Sequence, residues 1–166
     1  MEQSLVSEVR VGLGLDLHRR GGDGPLSLGG VHFEGEPGLL GHSDGDVLCH
    51  ALADALLGAA GLGDLGEHFP DSDPKHRGLA GLTLLSRVAE MVREVRLRPD
   101  RCDVTVLAKR PRISTRRDEI RGNVAAALDV SLDAVSVKAT RPEGLGLTGD
   151  GAACIAVATL VPDPGP

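Results

Sequence analysis

The chain has 166 residues, enough for one domain with a sizeable core, and its 41% apolar content suits a soluble globular protein. Its formal charge is −6 and its only aromatics are Phe33 and Phe69, so it lacks the basic patch and stacking platforms that nucleic-acid binding needs. No apolar run reaches the ~20 residues of a membrane span, and no leader pattern is visible. Cys49, Cys102 and Cys154 are scattered without a Cys-x-x-Cys, so a cytoplasmic protein with buried free thiols is expected.

Residues 1–8 read as a loose tail. From Val9 to His18 the chain alternates, which predicts a strand with Val9, Val11, Leu13, Leu15 and Leu17 on one face. Arg10, Gly12, Gly14, Asp16 and His18 share the other. Gly21 to Pro25 reads as a turn. Leu26–Leu28 and Val31–Phe33, around Gly29-Gly30, read as a hairpin, and Glu34–Gly41 as a loop.

A helix is expected from Asp44 or Gly45 to Gly58, then an irregular Gly-, Pro- and Asp-rich stretch from Asp64 to Pro74. A second helix is predicted over Leu79–Val95 and a strand over Arg101–Ala108. A third helix follows over Thr115–Leu128, capped by Ser114. Val135–Ala139 and Ala153–Leu160 read as strands around a Gly-rich loop at 141–152, and 161–166 as a disordered tail. The order predicts a single α+β domain over 9–160. It would hold a mixed four-stranded sheet with helices on one face, plus an N-terminal β-hairpin.

Several clusters carry chemistry. Asp16 and His18, two apart on a strand, point the same way, and a helix can add His50. One carboxylate and two imidazoles form a three-ligand zinc set with an open fourth position. The plainer alternative is an Asp-His hydrogen bond at a strand end beside an unrelated histidine. Asp46, one turn before His50, is a candidate partner behind the ligands. In His42-Ser43-Asp44-Gly45-Asp46, Ser43 or Asp44 would cap the helix, while His42 could reach an anion at the same helix end. Gly63-Asp64-Leu65-Gly66 and Phe69-Pro70-Asp71-Ser72-Asp73-Pro74 read either as an acidic surface loop or as a binder of sugar hydroxyls. Lys109-Arg110-Pro111-Arg112 and Lys138-Ala139-Thr140-Arg141-Pro142-Glu143 each follow a strand, where small ligands often sit. They suit a diphosphate, or form a solvated basic rim.

Taken together, Gly-x-Asp-x-His, then HSDGDVLCHALADALLGAAGLGDLGEHFPDSDP, then KAT and EGLGLTG, resemble the 2-C-methyl-D-erythritol 2,4-cyclodiphosphate synthases over roughly residues 9–160. The resemblance implies a homotrimer with active sites between subunits, working in non-mevalonate isoprenoid biosynthesis. It implies zinc on Asp16, His18 and His50, one per subunit, and magnesium or manganese on Glu143. His42 would stabilise the transition state and, with Ser43, meet the substrate phosphates. Asp64, Leu65 and Gly66 would hold sugar hydroxyls, and Phe69, Pro70, Asp71, Ser72 and Asp73 would line the erythritol pocket. The neighbouring subunit would cradle a cytidine diphosphate with Ala108, Lys109, Arg110, Pro111, Arg112, Ile113, Ser114, Ala139, Thr140 and Arg141. Pro142 and Leu147 would complete the substrate contacts.

Three departures stand out. Arg141-Pro142 replace a usual Thr-Thr, which moves a catalytic role onto Arg141. Asp150 and Ala152 replace a charged pair associated with an isoprenoid diphosphate on the trimer axis, so weak binding there is expected. Leu13 replaces a frequent His. The rivals are a catalytically dead ligand-binding trimer and a zinc phosphohydrolase.

Overall fold

The computed structural model describes residues 8–146 and 148–165. The elements run β1 (Arg10–Leu28), β2 (Val31–Leu39), α1 (Val47–Ala60), α2 (Leu65–His68), α3 (Gly81–Glu94), β3 (Leu97–Ala108), α4 (Arg117–Leu128), β4 (Val135–Thr140) and β5 (Gly151–Pro162). The sheet has five strands in the order β2-β1-β5-β3-β4, not four. Only the β3–β4 pairing is parallel; β1–β2, β1–β5 and β3–β5 are antiparallel.

The expected separate hairpin is part of this sheet. β1 does not stop at Gly21–Pro25. Positive φ at Gly21 (115°) and Gly24 (78°) lets the strand bend through a bulged stretch and continue to Leu28. Its partner β2 therefore runs on to Leu39, across the segment read as a loop. Pro37 and Gly38 sit where the register shifts, so the ladder tolerates them.

The alternation of β1 is as expected, but its apolar face is not the core. Val11, Leu13, Leu15 and Leu17 are 55–69% exposed, and Ile155 and Val157 of β5 lie beside them. The core is on the glycine side. A Cβ added at Gly12 or Gly14 would stand 1.8 Å from the Ala55 or Ala51 carbonyl oxygen, so the backbone of α1 rests directly on the strand. The helices all cover this one face. α1 is buried along nearly its whole length by Leu48, Leu52, Leu56 and Leu57 among others. α3 packs through Leu84, Leu85, Val88 and Val92, and α4 through Ile120, Val124 and Leu128.

The caps differ from the expected ones. Asp46, not Ser43 or Asp44, caps α1, accepting from Cys49 N at 3.1 Å. Asp44 instead accepts from Gly81 N, 2.8 Å away at the start of α3. Ser114 caps nothing: Ile113–Thr115 forms a 3₁₀ turn, and α4 starts at Arg117 with no side-chain cap. The Asp-rich stretch read as irregular holds the short α2, capped by Asp64, and a 3₁₀ turn at Pro74–His76, capped by Asp73. β5 runs two residues past Leu160, to Pro162. Pro162 pairs with Leu97, and Asp163 N donates to the Arg96 carbonyl at 2.9 Å.

Two glycines on facing elements should respond oppositely. Gly14→Ala would drive α1 off the strand and is expected to cost at least about 1–3 kcal/mol. Gly58 lies inside α1 with nothing within 4 Å of an added Cβ, so Gly58→Ala should stabilise by about 0.5–1 kcal/mol. Denaturant unfolding of both variants checks the pair; a neutral Gly14→Ala would refute the strand–helix contact.

Candidate metal centre and substrate pocket

The even face of β1 has room only for glycine beneath α1. Beyond Gly14 it carries Asp16 and His18, two residues apart and on the same side. His50 is one turn into α1, and the fixed helix start sets its height. Asp16 Oδ2 lies 3.0 Å from His18 Nε2 and 3.1 Å from His50 Nδ1. The three donor atoms lie within 4.8 Å of one another. The His18 and His50 rings meet edge-on at 5.8 Å.

Burial alone would push the Asp16 carboxyl up, but hydrogen bonds and charge from both histidines outweigh it and hold it at about 2. The same hydrogen bond raises His18. Two imidazoles drawn to one carboxylate oxygen is what a metal site shows when protons stand in for the ion. The outer nitrogen of His50, Nε2, is 2.9 Å from Ser43 Oγ. For Nδ1 to ligate, the proton must sit on Nε2 and be donated to Ser43, which fixes the tautomer. The donor set therefore suits a divalent metal with an open position.

Asp46 is not the partner behind the ligands. It is fully buried and accepts from Gly29 N (3.0 Å), Gly30 N (2.9 Å) and Ser27 Oγ (3.4 Å) besides its cap bond. Its carboxylate has no capacity left for the His50 ring.

The metal set opens into a cavity of about 370 Å³. His42, Ser43, Leu65, Gly66, Phe69, Pro70, Asp71 and Asp73 line it, as the motifs suggest. His42 is largely exposed, with its Nε2 3.7 Å from Asp71. Asp64 and Ser72 are not on the wall; the Asp64 carboxylate is used at Glu67 N, 3.1 Å away. Three titratable wall residues escaped the sequence reading: Asp54, His76 and Arg77. Asp54 is one turn beyond His50 on the same helix face, and that spacing was the available signal. Burial pushes its carboxyl up, and it accepts from Leu65 N at 2.8 Å. The His76 ring packs edge-on against Phe69 at 5.3 Å, with Nδ1 buried and unpartnered.

A second cavity, about 240 Å³, gathers Ala108, Pro111, Arg112, Ile113 and Ser114 with Ala139, Thr140 and Arg141; Arg117 joins them unforeseen. It sits where the parallel strands β3 and β4 end together. Lys109, Pro142 and Glu143 border a third space next to it, which Arg141 also lines. Arg110 turns away and pairs with Glu36 at 3.3 Å. Leu147 lies outside the described residues. His18 and Ala108 are both paired with Ala152 on β5, so the metal set and the second cavity open at the same end of the sheet.

The YgbB family profile matches residues 9–161. A 2-C-methyl-D-erythritol 2,4-cyclodiphosphate synthase from Salinibacter ruber is 51% identical over 154 residues, which cover 92% of this chain and 98% of that protein. A bifunctional enzyme IspD/IspF from Anaeromyxobacter dehalogenans is 52% identical over 159 residues, 95% of this chain but only 41% of its own length. The chain thus spans about two-fifths of that relative. A solved 2C-methyl-D-erythritol-2,4-cyclodiphosphate synthase in its CDP-bound form superposes with a TM-score of 0.83 at 32% identity, covering 91% of this chain and 99% of its own.

The donor set makes a direct demand on metal binding. Titration with Co²⁺ should saturate at about one equivalent per chain, and His50→Ala should abolish that site while the helix persists, since Ala favours helix over His. Full Co²⁺ binding in His50→Ala, by calorimetry or absorption, would refute the ligand set.

Proposed function

The chain belongs to the YgbB family, and from that premise we propose that it is a cyclising lyase of the non-mevalonate isoprenoid route. It converts 4-diphosphocytidyl-2-C-methyl-D-erythritol 2-phosphate into 2-C-methyl-D-erythritol 2,4-cyclodiphosphate and CMP. One observation carries the reading: the Asp16–His18–His50 set faces the same cavity as the His42-Ser43 and Phe69–Asp73 segments.

In this reaction an oxygen of the 2-phosphate attacks the β-phosphorus. A new P–O bond closes the ring, the bond from that phosphorus to the bridging oxygen breaks, and CMP leaves with that oxygen. The substrate carries its own nucleophile, so no protein side chain need form a covalent bond. The protein's tasks are positioning and charge neutralisation. Zinc held by Asp16, His18 and His50 would supply Lewis-acid neutralisation at phosphate oxygen. Ser43 holds the outer nitrogen of His50, and His42, exposed at the rim, is free to swing onto a phosphate. Glu143 suits magnesium or manganese, which one carboxylate and substrate phosphates commonly hold together. Arg141, between the second and third cavities, takes the catalytic place of a hydroxyl by offering a cation to the diphosphate. The remaining contacts divide with the cavities: Phe69–Asp71 and Asp73 at the erythritol end, Ala108, Pro111–Ser114 and Ala139–Thr140 at the cytidine end.

We place the second half of each site on a neighbouring subunit of a homotrimer. The exposed Val11, Leu13, Leu15 and Leu17 stripe, widened by Ile155 and Val157, supports a buried interface on that sheet face. A closed ring of head-to-tail contacts sets the metal half of one protomer beside the nucleotide half of the next. None of the described helices is long and apolar enough to cross a membrane. Free, buried Cys49, Cys102 and Cys154 agree with a reducing cytoplasm.

Phosphorus NMR of the reaction should show CMP and a cyclic diphosphate in equal amounts. An open-chain phosphate would make the protein a hydrolase, and no CMP a binding protein. Site sharing has its own test. His50→Ala and Ala139→Phe should each be inactive, yet co-refolded in equal amounts they should recover roughly a quarter of wild-type activity, since every mixed ring keeps one intact boundary. Background activity despite proven mixed trimers would place each site within one subunit.

A further inference from the structure

Arg20 lies two residues beyond His18 on the same face of β1. Its side chain is only 6% exposed. Nη1 donates to Glu36 Oε2 of β2 at 3.1 Å, and Nη2 donates to the carbonyl oxygen of Arg110. Glu36 Oε2 also takes Arg110 Nε at 3.3 Å, so one carboxylate oxygen is shared by two guanidinium groups. The backbone N of Arg20 donates to the Asp150 carbonyl at 2.8 Å. One residue thus gathers β2, the loop after β3 and the loop before β5.

The loop after β3 is the one that matters for ligand binding. Pro111 to Ser114, directly after Arg110, form a wall of the second cavity. A loop leaving a strand holds its shape only as firmly as its contacts allow. Here the contact is a forked, charge-assisted donation, one arm to the Glu36 carboxylate and the other to the Arg110 carbonyl oxygen. The metal set upstream needs no such help, because Asp16 and His18 stand in a regular β1–β5 ladder.

We propose that Arg20, through Glu36, is a positioning residue for the nucleotide end of the substrate; this rests on the cytidine assignment above. Neither residue touches substrate. The pair holds the 110–114 segment in its binding shape and ties it to the strand that bears the metal ligands. Its loss therefore falls on nucleotide affinity and not on metal binding or on the chemical step.

The experiment measures CDP binding by calorimetry, KM and kcat, and Co²⁺ stoichiometry, on the full chain. Arg20→Met should weaken CDP about tenfold and raise KM by a similar factor, with kcat within about twofold of wild type, the pattern of lost uniform binding. Co²⁺ stoichiometry should not change. Arg20→Lys, which keeps the charge but not the fork, should recover part of the loss. Glu36→Gln should weaken CDP as well, and it decides the matter if Arg20→Met does not fold. Unchanged CDP affinity in the folded variants would overturn the proposal, as would metal loss in step with CDP loss or a wild type that binds no CDP. A wild type that binds CDP but releases no CMP would overturn the proposed reaction and leave the Arg20 role standing.

Discussion

The buried carboxylate of Asp46 is the interaction on which the site rests. It is fully enclosed, and a bare charge there would be costly. Four donors surround it: Cys49 N at the start of α1, Gly29 N and Gly30 N at the β1–β2 turn, and Ser27 Oγ. The first turn of the helix adds the favourable end of its dipole. Such a charge is stable only with every partner present, and so it fixes a geometry. The hairpin turn, the helix start and the strand leading into the turn cannot shift separately. His50 is four residues on, and its distance from Asp16 is set by this anchor. Asp44, two residues earlier, ties the same loop to the first residue of α3. The two acids of the motif are spent on helix ends, which leaves His42 and Ser43 to face the cavity.

A second constraint acts on the same strand. Gly12 and Gly14 let α1 touch the main chain of β1, and any side chain there would collide with the helix. The strand then diverges from the helix far enough to admit Asp16 and His18. Close approach at one end and a gap at the other create the metal set from a single straight pairing of strand and helix. The price is that the other face of β1 keeps its Val and Leu residues in the open. An isolated chain would carry that patch as a liability, and a subunit interface is what such a face suits.

Much of this was legible from residue types and spacing. Asp16, His18 and His50 could be read because strand and helix periods put them on known faces, and the structure needed only to bring those faces together. The strand ends at Ala108 and Ala139 were likewise visible, β4 running one residue further to Thr140, and they do meet. What could not be read depends on contacts far apart in sequence. Gly21–Pro25 looks like a turn locally, but pairing with β2 carries the strand through it. Apolar alternation in β1 shows two faces but cannot say which is covered; the glycines were the clue, since only they admit a helix backbone. Ser114 has good capping chemistry, yet the chain there forms a 3₁₀ turn first. Arg20 has no motif at all, and its role shows only once the loop 90 residues away lies beside it.

Charge is where sequence and structure have to be weighed together. A chain of net charge −6 is at first sight a poor host for the proposed substrate, which bears three phosphates. The acids, however, are not spread evenly through the site. Asp44, Asp46, Asp64 and Asp73 are bound to main-chain N–H groups at helix starts, and Asp16 is held between two imidazoles. In the second cavity, Arg112, Arg117 and Arg141 line the wall, and the Arg110 side chain is held back by Glu36. The low-dielectric walls focus those local charges far more than the net charge opposes them. A division of labour would follow: the acidic half suits a cation, the basic half an anion, and a ligand with phosphates between the two would be held by both.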